Sequence, residues 1–269
     1  MRFNQILGLA VCGSVALTAA ARAAGFDGTA VTGSLRFVGN VNYFDPANNR
    51  VPGGYGNSTS ATNVTIADPG IEFGFQDQYG RITADFAGTR LTISETALIG
   101  TDAVIERYAF TNNAFANLVT VPISNTYPVS ATTSLSGSTL QISLPDGYSS
   151  TTGNTTTLSL AITLPGDADL NGTVNFNDFL ALQASFGNAG TSFQLGNFNG
   201  DANTDFNDFL ALQSNFGQSV GGTAATAATA EEFAALSAFA TAHAVPEPAS
   251  VTLFVTATGG VILRRARRE

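Results

Sequence analysis

Short runs of alternating apolar and polar side chains fill the first half of the chain. They include SLRFVGNVNYF, GIEFGFQ, RITADFAGTRLTI, VIERYAF, NLVTVPI, STLQISL and TTTLSLAITL, all within residues 24–165. A period of two puts every second side chain on one face of an extended backbone, so each run predicts a strand with one buried face. Clusters of Gly, Asn, Pro and Ser bound the runs, which is the turn chemistry of antiparallel sheets. The succession predicts a mainly β fold, an antiparallel sandwich or barrel, with a β-sandwich of jelly-roll type as the leading expectation, and about 140 residues suffice for one core. The stretch NYFDPANNRVPGGYGNSTSATN is long and turn-rich and reads as a surface connection.

Beyond residue 165 the period lengthens. Phe179, Leu182 and Phe186 recur at helical spacing and Gly187 follows as a C-cap. The run FNDFLALQ occurs twice, offset by 30 residues, so two short helices are expected in tandem. Residues 219–244 are rich in Ala, Thr and Gly and read as a spacer. Within it, Thr229 and Glu232 have capping-box spacing ahead of Phe233, Leu236 and Phe239, which predicts a short helix.

Each copy of FNDFLALQ overlaps the end of a twelve-residue stretch with oxygen-bearing residues at positions 1, 3, 5, 7, 9 and 12, the pattern of an EF-hand calcium loop. In the first copy these are Asp167, Asp169, Asn171, Thr173 through its backbone carbonyl, Asn175 and Asp178, with Gly172 at the turn and Val174 as an inward apolar anchor. Calcium is a hard cation that takes six to eight oxygens, so Asp and Asn suit it where Cys or His would not. The second copy offers Asn197, Asn199, Asp201, the carbonyl of Asn203, Asp205 and Asp208. There Ala202 replaces the turn glycine, and a left-handed backbone at that residue would cost about 1–2 kcal/mol. Thr204 replaces the apolar anchor, so the second site is expected to bind calcium more weakly.

The tandem loop–helix arrangement over residues 166–218 resembles a type I dockerin. That resemblance implies a small helical module that binds calcium and docks onto a cohesin-like partner, often in carbohydrate-degrading assemblies. Loop positions 10 and 11 contact the partner in that family, which here are Phe176, Asn177, Phe206 and Asn207. Phe-Asn replaces the small hydroxyl residues common at those positions.

Both ends of the chain read as addresses. Residues 1–23 combine Arg2, an apolar core and Ala21-Arg22-Ala23, the plan of a secretory signal, so the exported chain is expected to begin near Ala24. Cys12, the sole cysteine, would leave with it. At the other end VPEPAS is followed by an apolar stretch over 251–263 and by Arg264, Arg265, Arg267 and Arg268. Those 13 residues are short against the ~20 that span hydrocarbon, and the arginines would hold their end on the cytoplasmic side. The three elements in that order, over residues 245–269, resemble the PEP-CTERM sorting signal. The resemblance implies processing by an exosortase, with Pro246, Glu247 and Pro248 as recognition residues, and delivery to the cell surface or beyond.

Between the two addresses, residues 24–248 keep five arginines and no lysine against 19 acidic side chains. Such a surface repels nucleic acid and suits an exported protein that gathers cations. The sole histidine, His243, lies in the spacer, so no Ser-His-Asp triad, Cys nucleophile or His-rich zinc site is expected and no catalytic residue is assigned. Glu72, Asp77, Asp85, Glu95, Asp102 and Glu106 leave carboxylate chemistry open but read as acids on solvent faces of strands. Two functions follow as expectations: a non-catalytic surface or matrix protein attached through its calcium module, or a polysaccharide-binding or glycoside-hydrolysing component acting through residues 24–165.

Overall fold

The computed structural model describes residues 25–243, apart from 38, 61, 100, 103–104, 146–148 and 223–228. The segment read as a secretory signal, the Pro-Glu-Pro sequence read as a sorting motif at 246–248 and the apolar stretch at 251–263 lie outside the described residues. No described helix is long and apolar enough to cross a membrane.

The strands are β1 (Ala30–Arg36), β2 (Asn63–Thr65), β3 (Phe73–Gln76), β4 (Gly80–Ala87), β5 (Arg90–Ala97), β6 (Thr101–Asp102), β7 (Glu106–Thr111), β8 (Val119–Asn125), β9 (Thr132–Ser136), β10 (Thr139–Leu144), β11 (Ser149–Ser150) and β12 (Thr155–Thr163), and the alternating runs mark all of them but β2, β6, β9 and β11. They form two five-stranded antiparallel sheets, ordered β2-β1-β7-β10-β9 and β3-β4-β5-β12-β8, with β6 and β11 as a separate pair. The chain is mainly β, with four short helices among the described residues.

Register brings the apolar residues into rows. In the first sheet Leu35 and Ile142 flank Tyr108, and Gly33 and Leu140 flank Phe110. In the second, Ala84, Ile93 and Leu158 form one row and Phe86, Leu91 and Leu160 the next. The two inner faces meet: the rings of Phe86 and Phe110 lie 5.3 Å apart edge to face, and Phe73 lies 5.6 Å from Phe110. Gly33 has no side chain because the ring of Phe73 occupies the space a Cβ would take.

Several readings from sequence need correction. The stretch at 42–63 is not a loose surface connection. Phe44 and Asn57 are fully buried, and Asn57 opens the one-turn helix α1 (Asn57–Ser60). Its amide nitrogen donates to the carbonyls of Phe44 and Gly74, and its oxygen accepts from Gly74 N–H, so the segment is tied to β3. Nor do all the acids face solvent, since Glu72 and Glu106 are 2% exposed. Glu72 accepts from the N–H groups of Ala67 and Phe86, and burial pushes its carboxyl up to about 7. Tyr108 donates its hydroxyl to Glu106. These carboxylates hold the interior together, because a buried acceptor of this kind replaces the water lost on folding.

The helical part continues the same core. Helices α2 (Phe176–Ser185) and α3 (Phe206–Asn215) bury Phe179, Leu182, Phe209 and Leu212, and Asn215 donates to the carbonyl of Pro165 just beyond β12. Residues 219–244 are not a free spacer. Val220 is buried and accepts from Gly25 N–H, and α4 (Ala230–His243) lies on the module. Thr229 and Glu232 form the expected reciprocal cap. Leu236 and Phe239 are buried, while Phe233, read as part of the same face, is 63% exposed. The Phe239 ring sits 5.3 Å from Phe179, 5.1 Å from Phe209 and 4.9 Å from Phe186, with His243 against both Phe239 and Phe186.

Candidate metal centre

The first loop starts where β12 ends, four residues past Thr163. Thr163 is fully buried and donates its hydroxyl to Asp167, so the last strand of the sheet positions the residue at loop position 1. Leu170 at φ 59° and Gly172 at φ 84° bend the chain back on itself, the second at the position reserved for glycine. The bend turns the N–H of Asn171 (3.1 Å) and of Gly172 (2.8 Å) onto the Asp167 carboxylate. Asp178, at the far end, accepts from Ala168, Asp169 and Asn175 N–H at 2.8, 3.2 and 2.7 Å. With Asn175 accepting from Asn177, Asp178 completes a capping box, so position 12 closes the loop and starts the helix together.

Carboxylate oxygens of Asp167, Asp169 and Asp178 lie within 4.8 Å of one another, with Asp167 and Asp178 buried and Asp169 at the surface. None of the described arginines pairs with them. Burial, followed by the charges of Asp178 and Asp169, pushes Asp167 up to about 7 despite the hydrogen bonds it accepts. Burial likewise raises Asp178 to about 6, with Asp169 adding to it. Three carboxylates converging without a cation repel one another, and a hard divalent ion relieves the repulsion where a proton otherwise must. The residues therefore fit calcium: Asp167, Asp169, Asn171, the carbonyl of Thr173, Asn175 and Asp178 are all oxygen donors on one loop. Asn171 and Asp169 already contact each other at the rim.

Thr173 and Val174 extend away from the loop and pair with the segment after α3. Val174 N–H donates to Gln218, Gly217 N–H to Val174, and Val220 N–H to Gly172. The second loop mirrors this: Thr204 N–H donates to Asn188, Gly187 N–H to Thr204, and Gly190 N–H to Ala202. Each loop is thus stitched to the tail of the other helix. Val174 is fully buried as the expected anchor; Thr204 is equally buried, its hydroxyl meeting that of Thr191. Asp208 repeats the role of Asp178, accepting from Phe198, Asn199 and Asp205 and capping α3. Asn199, Asp201 and Asn203 are exposed, Asp205 caps the helix, and Asn197 is buried. Ala202 does not take the left-handed backbone expected of it.

Comparison with protein-family models, with curated proteins and with solved structures finds no match.

The four residues at loop positions 10 and 11 open the two helices. Asn177 and Asn207 are exposed, whereas Phe176 and Phe206 are half-buried against Phe179 and Phe209. One turn along, Leu180 and Leu210 are each 45% exposed, so the two helices present matching outward faces. Sequence reasoning missed two supports of the site. Thr163 shows only as a polar residue ending an apolar strand, and Phe239 as one aromatic in an alanine-rich helix.

Proposed function

We propose that this chain is a non-catalytic, exported surface or matrix protein in which a β-sandwich carries a calcium-ordered, dockerin-like attachment module. The observation that supports it best is the meeting of Asp167, Asp169 and Asp178 in a loop whose last ligand also caps the following helix. Calcium there would neutralise buried charge and fix the direction of α2, and the module would then offer a partner Phe176, Asn177, Phe206, Asn207 and the leucines beside them. The cohesin-like or envelope partner, and sorting by an exosortase at Pro246-Glu247-Pro248, rest on sequence resemblance. Glu72 and Glu106, two of the acids that leave carboxylate chemistry open, are committed to interior hydrogen bonds, which weighs against the glycoside-hydrolase reading.

Isothermal titration of calcium into the full chain tests the reading. Saturable heat is expected, with Asp178→Ala damaging binding more than Asp208→Ala. Absence of heat at millimolar calcium, with melting unchanged by chelator, would overturn it.

A further inference from the structure

The two loops differ most at one peptide bond. In the first, the peptide between Asn171 and Gly172 turns its N–H toward position 1, where the Asp167 carboxylate accepts it at 2.8 Å. In the second, Asn197 holds position 1 at 4% exposure. Its amide nitrogen donates to the carbonyl of Asp201 at 2.8 Å and to that of Thr191 at 3.2 Å, while its oxygen accepts from Gly200 N–H at 2.9 Å. Carbonyls only accept, so they dictate which end of the amide faces them. The peptide between Asp201 and Ala202 therefore points its C=O, not its N–H, toward position 1.

Turning over the central peptide of a tight turn exchanges the sign of the φ that follows, as between type I and type II turns. Gly172 accordingly has φ 84°, and Ala202 stays at negative φ, where a Cβ costs nothing. Two of the second loop's departures from the first, Asn for Asp at position 1 and Ala for Gly at position 6, are one change seen twice. A carboxylate needs N–H groups and a left-handed glycine; an amide needs a carbonyl and tolerates alanine.

The rest of the frame is kept. Asp208 still gathers Phe198, Asn199 and Asp205 N–H, and Thr204 still pairs with Asn188. The buried pair in the first loop is two carboxylates, Asp167 and Asp178; in the second it is one carboxylate, Asp208, and a neutral amide. We propose that the Asn197 amide closes the second loop in place of a cation, so that the chain takes one calcium ion, in the first loop, and uses the second as a metal-independent brace. This deepens the calcium reading given above and rests on it for the first loop only.

Two measurements on the full chain decide it. Calorimetric titration is expected to give one calcium per chain for the wild type and two for the double variant Asn197→Asp, Ala202→Gly, which restores the first loop's residues at positions 1 and 6. Two ions in the wild type, or one in the double variant, overturns the proposal. The second measurement is melting in chelator, which needs no bound metal. Asn197→Asp alone aims a carboxylate at two carbonyls while Ala202 resists turning the peptide, so it should melt several degrees below the wild type. Ala202→Gly alone, which leaves the amide bonds intact, should melt close to it. Asn197→Asp melting with the wild type overturns the closure. A wild type that binds no calcium at all sinks the reading of the first loop, and the melting comparison still decides the second.

Discussion

Phe239→Ala is expected to weaken calcium binding although the residue lies far along the chain from any ligand. Its ring is 6% exposed and packs on Phe179 and Phe209, each the residue immediately after the position-12 aspartate of its loop. Truncation removes roughly 130 Å² of buried apolar surface, about 3 kcal/mol at 25 cal/mol per Å², within the range of about 3–5 kcal/mol seen for buried Phe→Ala changes. A 14-residue helix is marginal by itself, so loss of this anchor should undock α4. On the calcium reading proposed above, metal would order α2 through Asp178 and α4 would seat on the face that ordering creates, so the two events would be thermodynamically linked and the linkage reciprocal. If all of the ~3 kcal/mol appears in the linkage, calcium affinity falls by about two orders of magnitude. Calorimetry of wild type and variant measures the affinity, and hydrogen exchange of residues 230–243 with and without calcium reports whether α4 is seated. An unchanged affinity in a variant whose α4 exchanges freely would refute the linkage.

Other outcomes can be stated more briefly. Glu72 has its pKa raised to about 7, so its contribution to stability is present in full below its unfolded value of 4.5 and is lost as pH rises through 7. In saturating calcium, Glu72→Gln should therefore flatten the stability profile by roughly 2 kcal/mol between pH 5 and pH 7.5, read from denaturant midpoints. An equal slope in both proteins would discount the buried carboxyl. Asn57→Ala leaves groups of Phe44 and Gly74 without their buried partner and should cost about 2–4 kcal/mol in a urea melt; a loss under 0.5 kcal/mol would contradict it. Replacing Pro246-Glu247-Pro248 should leave precursor in the membrane fraction on an immunoblot, and normal surface delivery would dismiss the sorting reading.

What the sequence discloses depends on whether the decisive partner is local. Alternation marks β4, β5 and β12 because their apolar rows stand out against threonine and serine. It fails for β9, where Thr132–Ser136 lies at a sheet edge with little contrast between its two faces. Ligand spacing is local, so the first loop is legible down to its turn glycine. Ala202 misleads because its backbone answers to the amide of Asn197 five residues earlier, and only the folded loop shows which way that amide points. Glu72 and Glu106 look like surface acids until the backbone N–H groups and the tyrosine hydroxyl that donate to them are in view. The cap of α4 is written in Thr229 and Glu232, but its seat is assembled from Phe179, Phe186 and Phe209, brought together by two separate loops.

The bond from Gly25 N–H to the carbonyl of Val220 brings the first described residue beside the point where the chain leaves the second loop–helix unit. One end of the described chain is therefore clasped to the second loop–helix unit, although the whole sandwich lies between them in sequence.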